Sequence, residues 1–291
     1  MSTALQRVRA LSFWRQPVDP VPLGGGITNV NFTVDIGGEK FVVRVGDDIP
    51  VHQVMRFNER AASEAAFRAG ISPEVVYAEL GILVLRYISG KTLLPADVRE
   101  QHILQRIVPL IARVHREIPH HLRGPALVFW VFHVLRDYGH TLRDGNSRHL
   151  PRMPQLLATA DDLERDVGAI ELVYCHNDLL AGNIIDDGDR LWLIDWDYAG
   201  FNSPLFDLAN LASNNGLSRD QEDWLLAAYY DAPADAGLWR RYSAMKCASL
   251  LRETMWSMVS EIHSKLNFDY ASYTADYLGR FERALAAHQA G

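Results

Sequence analysis

A polar octapeptide at residues 176–183, with the sequence HNDLLAGN, holds the side chains best suited to chemistry, and two more acids follow in the segment LIDWD. Asp178 and Asn183 share one predicted loop, and Asp195 ends a neighbouring predicted strand. Carboxylate and amide oxygens arranged in this way suit Mg²⁺, which takes few ligands from protein and the rest from phosphates and water. The remaining Asp can then orient or deprotonate an attacking hydroxyl.

Each of these residues taken singly also has an ordinary structural explanation. Asp178 and Asn183 are typical loop caps, and Asp195 is a typical residue of the turn after a strand. The whole set, H-x-D-x-x-x-x-N followed by a late Ile-Asp around a predicted hairpin, has the spacing of a catalytic loop and metal-binding Asp in phosphoryl transfer. The spacing therefore predicts phosphoryl transfer, with these three residues as the catalytic ones.

A second motif, the run of glycines at residues 24–26, stands just before the first predicted hairpin. Glycines let the backbone approach a triphosphate closely and aim N–H groups at it, although tight turns use the same residues. Arg44 on the next predicted strand is flanked by valines, and a basic side chain there can reach nucleotide phosphates. Glu59 and Glu64 on the following predicted helix are both candidates to hold Arg44, and the residues alone do not separate them.

The elements that must position these side chains fall into two groups. Alternating residues predict strands at 29–36, 40–45, 75–78 and 82–88, with one helix at 54–69 between the two strand pairs. Beyond Gly90 the periodicity is helical, at residues 98–116, 153–167, 221–230, 239–263 and 270–287. A short hairpin at 183–186 and 191–194 interrupts the helices. The pattern predicts an α+β protein with a β-rich N-terminal lobe (1–88) and a helical C-terminal lobe (89–291).

Composition narrows the class of protein further. The chain has 291 residues, of which 48% are hydrophobic and 22% charged, as in an ordinary globular protein. The net charge of −7 (29 − 36) argues against binding to nucleic acid. The first residues lack the apolar stretch of a signal peptide, no run is long enough to insert into a membrane, and two cysteines suit a reducing compartment. We therefore expect a cytoplasmic protein.

Four segments, GGGITNVNF, VVRVG, HNDLLAGNII and LIDWDYAGFNSPLFDLAN, together resemble the choline/ethanolamine kinase family. That family belongs to the aminoglycoside-phosphotransferase-like kinases, which share the protein-kinase fold, and the resemblance covers nearly the whole chain. It implies a two-lobed kinase that binds ATP and Mg²⁺ and phosphorylates a small cationic alcohol, choline or ethanolamine. The alternatives are an aminoglycoside, sugar or thiamine kinase of the same superfamily and a non-catalytic, nucleotide-binding pseudokinase. A homodimer is left open.

The resemblance also implies a role for individual residues. Asp178 corresponds to the catalytic base, Asn183 and Asp195 to Mg²⁺ ligands, and Asp197 to a residue that assists a second metal ion. His176 and Asp207 are implied to support the catalytic loop. The implied nucleotide-binding residues, for which Glu59 is favoured over Glu64, are Gly25, Gly26, Thr28, Asn29, Arg44 and Glu59. Adenine is expected near residues 85–88, with Ile184 and Ile194 as an apolar floor.

The expected substrate pocket departs from the family pattern at two positions. Trp256 and Tyr273 match residues that line the choline pocket of eukaryotic relatives, where aromatic faces attract a quaternary ammonium. Glu253 stands where the family has a further Trp, and Asn214 stands where an acid is expected. The implied substrate-binding residues are Asp178, Asn214, Glu253, Trp256 and Tyr273. A primary ammonium such as that of ethanolamine can hydrogen-bond to Glu253, which would favour ethanolamine. The sequence leaves choline, ethanolamine, another amino alcohol, a sugar and thiamine open.

Overall fold

The apolar, β-branched residues of the first ninety positions form one antiparallel sheet, described here by a computed structural model that covers residues 2–24 and 29–291. The strand order is β1-β2-β3-β5-β4. Gly37 and Gly38 turn the central hairpin with φ of 62° and 82°, which glycine adopts without strain. The strands are β1 (Val21–Leu23), β2 (Val30–Ile36), β3 (Glu39–Val45), β4 (Val75–Glu79) and β5 (Ile82–Arg86).

Two helices accompany this sheet. Helix α1 (Ser2–Arg9) precedes it and buries Val8 in an apolar cluster with the strands. Helix α2 (Arg56–Arg68) lies between β3 and β4, and its small apolar residues Ala62, Ala65 and Ala66 are fully buried. These alanines belong to the apolar cluster of the helical part of the chain, so α2 connects the sheet to that part. The strand pairs and the helix predicted from the sequence are present, whereas α1 and β1 were not predicted.

The rest of the chain is mainly helical, as the periodicity predicts. The five predicted helical segments correspond to α4, α6, α8, α9 and α10. The predicted fold class is confirmed: the protein is α+β, with a β-rich N-terminal lobe and a helical C-terminal lobe. The helices are α3 (Pro95–Val98), α4 (Gln101–His121), α5 (Val131–Asp144), α6 (Met153–Val167), α7 (Pro204–Asn215), α8 (Arg219–Tyr230), α9 (Ala236–His263) and α10 (Tyr270–Ala290). Within residues 2–24 and 29–291, no helix combines the length and apolar character needed to cross a bilayer.

Short strands interrupt the helices and position the two acidic motifs. They are β6 (Lys91–Thr92), β7 (Val173–Cys175), β8 (Ile184–Asp186), β9 (Leu191–Leu193) and β10 (Gly200–Asn202). Strand β8 pairs with both β6 and β9, and β7 pairs with β10. The HNDLLAGN loop therefore connects β7 to β8, and Asp195 and Asp197 lie between β9 and β10. The predicted domain boundary at residues 88/89 falls between β5 and β6.

Candidate active site

A cleft of about 520 Å³ between the sheet and the helices brings the separate motifs together. The predicted residues that line it are Arg44, Asp178, Asn183, Asp195, Asp197, Glu253, Trp256 and Tyr273. Asn29 and Glu59 contact this set from outside the cleft, through hydrogen bonds to Asp197 and Arg44. Gly25, Gly26 and Thr28 of the predicted glycine loop lie outside the described residues. The cleft thus joins the predicted nucleotide and substrate ends of the site.

Asp207, near the start of α7, holds the catalytic loop by its backbone. Its Oδ2 accepts the N–H of His176 at 2.9 Å, and its Oδ1 accepts the N–H of Asn177 at 2.8 Å. Burial acts to raise the pKa of Asp207, but a hydrogen bond from His115 and these donors hold that pKa below its usual value. A permanently charged acceptor at this point fixes the two residues that precede Asp178, in agreement with the supporting role implied by the resemblance.

The ring of His176 is engaged on both sides. The backbone N–H of Asp178 donates to Nδ1 at 3.2 Å, so Nε2 carries the proton and donates to the Ile194 carbonyl at 2.9 Å. Burial lowers the pKa of this fully enclosed imidazole. His176 therefore joins the catalytic loop to the strand end that precedes Asp195, and it has no nitrogen left to shuttle protons.

Two further side chains of α7, which the sequence analysis missed, complete this support. Asn210 accepts the N–H of Leu179 at 2.5 Å through its Oδ1. Asn215 accepts the N–H of Ala181 at 3.0 Å and donates to the Leu179 carbonyl at 3.1 Å. The spacing of Asp207 and Asn210 places those two residues on one face of α7, whereas Asn215, five residues after Asn210, had no such signal in the sequence.

The predicted role of Asn214 in the substrate pocket is not supported by its position. Asn214 is half-buried at the end of α7 and is not among the described residues that line the cleft. Its neighbour Asn215 faces the catalytic loop instead. A second correction concerns the apolar floor, because Ile184 is buried in the core and Ile185 lines the cleft with Ile194. Adjacent residues of a strand face opposite sides, so the prediction chose the wrong side of β8.

Glu59 is the partner of Arg44, as the resemblance implies. Arg44 Nε donates to Glu59 Oε1 at 2.7 Å, and its Nη2 donates to Asp195 Oδ1 at 2.8 Å and to Asp197 Oδ1 at 3.2 Å. Glu64 instead forms an exposed pair with Arg60 on its own helix. Three carboxylates therefore converge on the guanidinium that β3 carries.

A second arginine, Arg56, shares these carboxylates and was not predicted. Its Nη1 donates to Glu59 Oε2 at 2.6 Å and to Asp197 Oδ1 at 2.9 Å. Burial acts to lower the pKa of Arg56, but the two acids raise it overall, so the side chain stays charged. Asn29 Nδ2 also donates to Asp197 Oδ2 at 3.3 Å. Both oxygens of Asp197 are thus engaged by protein donors, which ties the two lobes together at this residue.

Asn183 and Asp195 offer oxygen donors that fit a hard divalent cation. The Nδ2 of Asn183 donates to the Asp178 carbonyl at 2.9 Å, which fixes the carboxamide, and no hydrogen bond within the described part of the chain reaches its Oδ1. The side chain of Asp195 is 22% exposed to the cleft. Asp195 has a φ of 68°, a left-handed conformation that an Asp tolerates better than most residues. The donor set is compatible with Mg²⁺ at this end of the cleft.

Asp178 lies between this set and a group of aromatic side chains. Burial raises its pKa, and nearby Glu253 and Asp195 act in the same direction, while Arg252 opposes them. A carboxylate with a raised pKa is a stronger base than an ordinary one, which suits it to accept a proton from a hydroxyl.

The far end of the cleft is an aromatic pocket. The Nε1 of Trp256 donates to the Tyr198 hydroxyl at 3.0 Å, and the ring centroids of Trp256 and Tyr273 are 6.1 Å apart. Tyr273 stacks on Tyr277 at 4.5 Å and donates its hydroxyl to Glu253 Oε1 at 2.8 Å. Tyr198 was not predicted as a pocket residue, because only the fold brings the segment after Asp197 against α9.

Together the fold and the cleft define a phosphotransferase of the protein-kinase-like class. The family described as choline/ethanolamine kinase matches residues 21–232, more than half of the chain. Protein LicA of Haemophilus influenzae is 30% identical over 282 residues, which cover 93% of this chain and 82% of LicA. The chain belongs to the choline/ethanolamine kinase family, and it is a small-molecule kinase that phosphorylates an alcohol.

Solved structures agree with this assignment. A choline/ethanolamine kinase family protein from Mesorhizobium loti superposes with a TM-score of 0.78 at 25% identity, and the match covers 100% of this chain and 99% of that one. A structure of LicA in complex with AMP superposes with a TM-score of 0.76 at 20% identity, covering 97% and 98%. The predictions of family, fold and enzyme class are confirmed, and as a kinase the protein binds a nucleotide.

Proposed function

We propose that the protein transfers the γ-phosphoryl group of ATP to the hydroxyl of choline or of a closely related amino alcohol. The observation that carries this proposal is the position of Asp178, which lines the same cleft as the oxygen donors Asn183 and Asp195 on one side and the aromatic pair Trp256 and Tyr273 on the other. A donor and a cationic acceptor bound at these two ends meet at one carboxylate.

The nucleotide end of the cleft supports ATP as the donor. Leu85, Tyr87 and Ile88 line it beside Ile185 and Ile194, which suits an adenine ring. Glu59 holds the guanidinium of Arg44 on the side of the cleft where the phosphates of a bound ATP are expected. LicA, to which this chain is similar, has been solved in complex with AMP. Mg²⁺ held by Asn183 and Asp195, with Asp197 beside them, would neutralise phosphate charge when bound.

In the proposed reaction the acceptor hydroxyl oxygen attacks the γ-phosphorus, the bond from that phosphorus to the β–γ bridging oxygen breaks, and ADP leaves. Asp178 orients the hydroxyl and takes its proton. Most of the acceleration comes from positioning and charge neutralisation, as is usual in phosphoryl transfer. Asp207, His176, Asn210 and Asn215 contribute by fixing the loop that carries Asp178.

The aromatic pocket supports a cationic acceptor. An ammonium group is attracted by the faces of Trp and Tyr, an interaction worth about 0.5–2 kcal/mol. Trp256 is oriented by Tyr198, and Tyr273 by Glu253 and Tyr277, so both rings are held in place before substrate binds.

The proposal further includes a cytoplasmic location, where ATP is available, and it leaves a homodimer open to a measurement of mass in solution.

A panel of alcohols tests this function. Release of ADP is measured with choline, ethanolamine, thiamine, an aminoglycoside and a neutral sugar, each with and without Mg²⁺. We expect metal-dependent turnover that is fastest with an amino alcohol. Turnover of the sugar or the aminoglycoside alone would replace the proposed acceptor, and ADP release that ignores every alcohol would contradict alcohol phosphorylation by this site.

A further inference from the structure

Arg252 is a buried cation in the substrate half of the cleft, and it has no role in the reaction proposed above. Its side chain is 2% exposed, yet it lines the cleft beside Glu253 and Asp178. The guanidinium carbon lies 4.2 Å from the centroid of the Tyr198 ring, in a cation–π contact. Burial acts to lower the pKa of Arg252, but Glu253 raises it, so the charge is retained.

The carboxylate of Glu253 is held from two directions. Its Oε2 accepts Arg252 Nη1 at 2.7 Å, and its Oε1 accepts the Tyr273 hydroxyl at 2.8 Å. The same Nη1 lies 3.9 Å from Asp178 Oδ1. Only 8% of the surface of Glu253 is exposed, so its carboxylate has little room for partners other than these two. The carboxylate that appeared from the sequence to be available for a primary ammonium is therefore paired within the protein.

Primary and quaternary ammonium groups respond differently to such a pocket. A primary ammonium brings three N–H donors, and each donor left without an acceptor on burial is costly. A quaternary ammonium has no N–H donor, so aromatic faces can bind it without any hydrogen-bond acceptor. Trp256 and Tyr273 supply such faces, whereas the charge of Glu253 is already compensated by Arg252.

We propose that Arg252 determines acceptor selectivity, because its pairing with Glu253 withholds that carboxylate from the substrate and so favours N-methylated over primary amino alcohols. The inference rests on the proposed function, since it concerns the acceptor of the same reaction. Arg252 acts through Glu253 and is a positioning residue.

A series of substrates that differ only in methylation tests this inference. The ratio kcat/KM is measured for ethanolamine, its N-methyl and N,N-dimethyl derivatives, and choline. We expect it to rise with each methyl group in the wild-type chain. Arg252→Met frees Glu253 to accept from N–H groups, and we expect the ratio of ethanolamine to choline to rise by about tenfold or more.

Two further variants make the test specific. In Arg252→Met/Glu253→Gln the carboxylate is gone as well, so the preference for methylated substrates is expected to return. Arg240→Met removes an arginine of the same helix that pairs with Asp166 away from the cleft, and it should leave the series unchanged. Should Arg252→Met fail to fold by circular dichroism, Arg252→Lys replaces it, and a smaller shift in the same direction is expected because an ammonium lacks the guanidinium fork.

The outcomes separate this inference from the proposed function. Turnover of the series with an unchanged ethanolamine-to-choline ratio in the folded Arg252 variant, or a ratio that falls, overturns the selectivity role and leaves the kinase function intact. A shift that persists in the double variant also overturns it, because the effect would not pass through Glu253. Turnover of none of the four alcohols by the wild-type chain overturns the proposed function and the inference with it.

Discussion

Replacement of Asp195 by Asn is expected to lower kcat/KM by about a thousandfold or more, since a metal ion contributes several kcal/mol to stabilising charge in the transition state. The chain should remain folded. Asn tolerates the left-handed backbone at this position, and the lost contact with Arg44 leaves that guanidinium paired with Glu59 and Asp197. Steady-state kinetics over a range of Mg²⁺ concentrations, with the melting temperature measured without metal, check both statements.

The control for this variant is Asp189→Asn. Asp189 is an exposed carboxylate in the turn of the hairpin that carries Asp195, so the substitution removes the same charge without touching the cleft. Activity of the control should equal that of the wild-type chain. A large fall in the melting temperature of Asp195→Asn without metal would show that Asp195 has a structural role. Unchanged kinetics would show that Asp195 does not bind the metal ion.

Arg44→Ala is expected to lower activity by about a hundredfold or more, because the loss of one well-placed donor to transition-state charge has effects of that size. It should also destabilise the chain by up to about 3–5 kcal/mol, the cost of leaving buried acids without their partner. Arg56 still pairs with Glu59 and Asp197, which limits the loss of stability. Steady-state kinetics and denaturant unfolding measure the two effects.

Two comparison variants show whether the guanidinium itself is required. Arg44→Lys keeps the charge but replaces a planar fork by a single ammonium, so partial activity is expected. Arg60→Ala, one turn further along α2 than Arg56, removes an exposed pair with Glu64 and should have little effect on stability or turnover. Full activity of Arg44→Ala would exclude Arg44 from phosphate binding.

The sequence predicted which motif residues lie near one another because their spacing is local or part of a family pattern. Asp178, Asn183 and Asp195 line one cleft, as the loop and hairpin around them require. Arg56 and Arg252 escaped prediction for a physical reason. The bond from Arg56 to Asp197 spans 141 residues, and the contact of Arg252 with Tyr198 joins α9 to the segment after β9. A partner at such a distance leaves no periodic signal near the residue.

Two predictions about helices also departed from the structure for simple physical reasons. Asn214 was predicted to line the substrate pocket, but it is not among the described residues that line the cleft. Successive residues of a helix point about 100° apart, and its neighbour Asn215 is the one that reaches the catalytic loop. Helix α5 was overlooked although Val131, Val134, Leu135 and Tyr138 are buried at helical spacing. The apolar residues at 126–130, directly before the helix, hide the start of this period in the sequence.

Side-by-side ³¹P NMR of the wild-type chain and of Asp178→Asn tests the central claim most directly. With ATP, Mg²⁺ and choline, the wild-type chain is expected to form ADP and a new phosphomonoester in equal amounts. The hydrogen bonds that hold residue 178 in its loop are made by its backbone, so Asp178→Asn should keep the loop in place and still bind nucleotide. It should form product about a hundred- to ten-thousandfold more slowly, which is the usual contribution of general base catalysis. A phosphomonoester formed at nearly the same rate by both proteins would contradict the assignment of the reaction to this carboxylate.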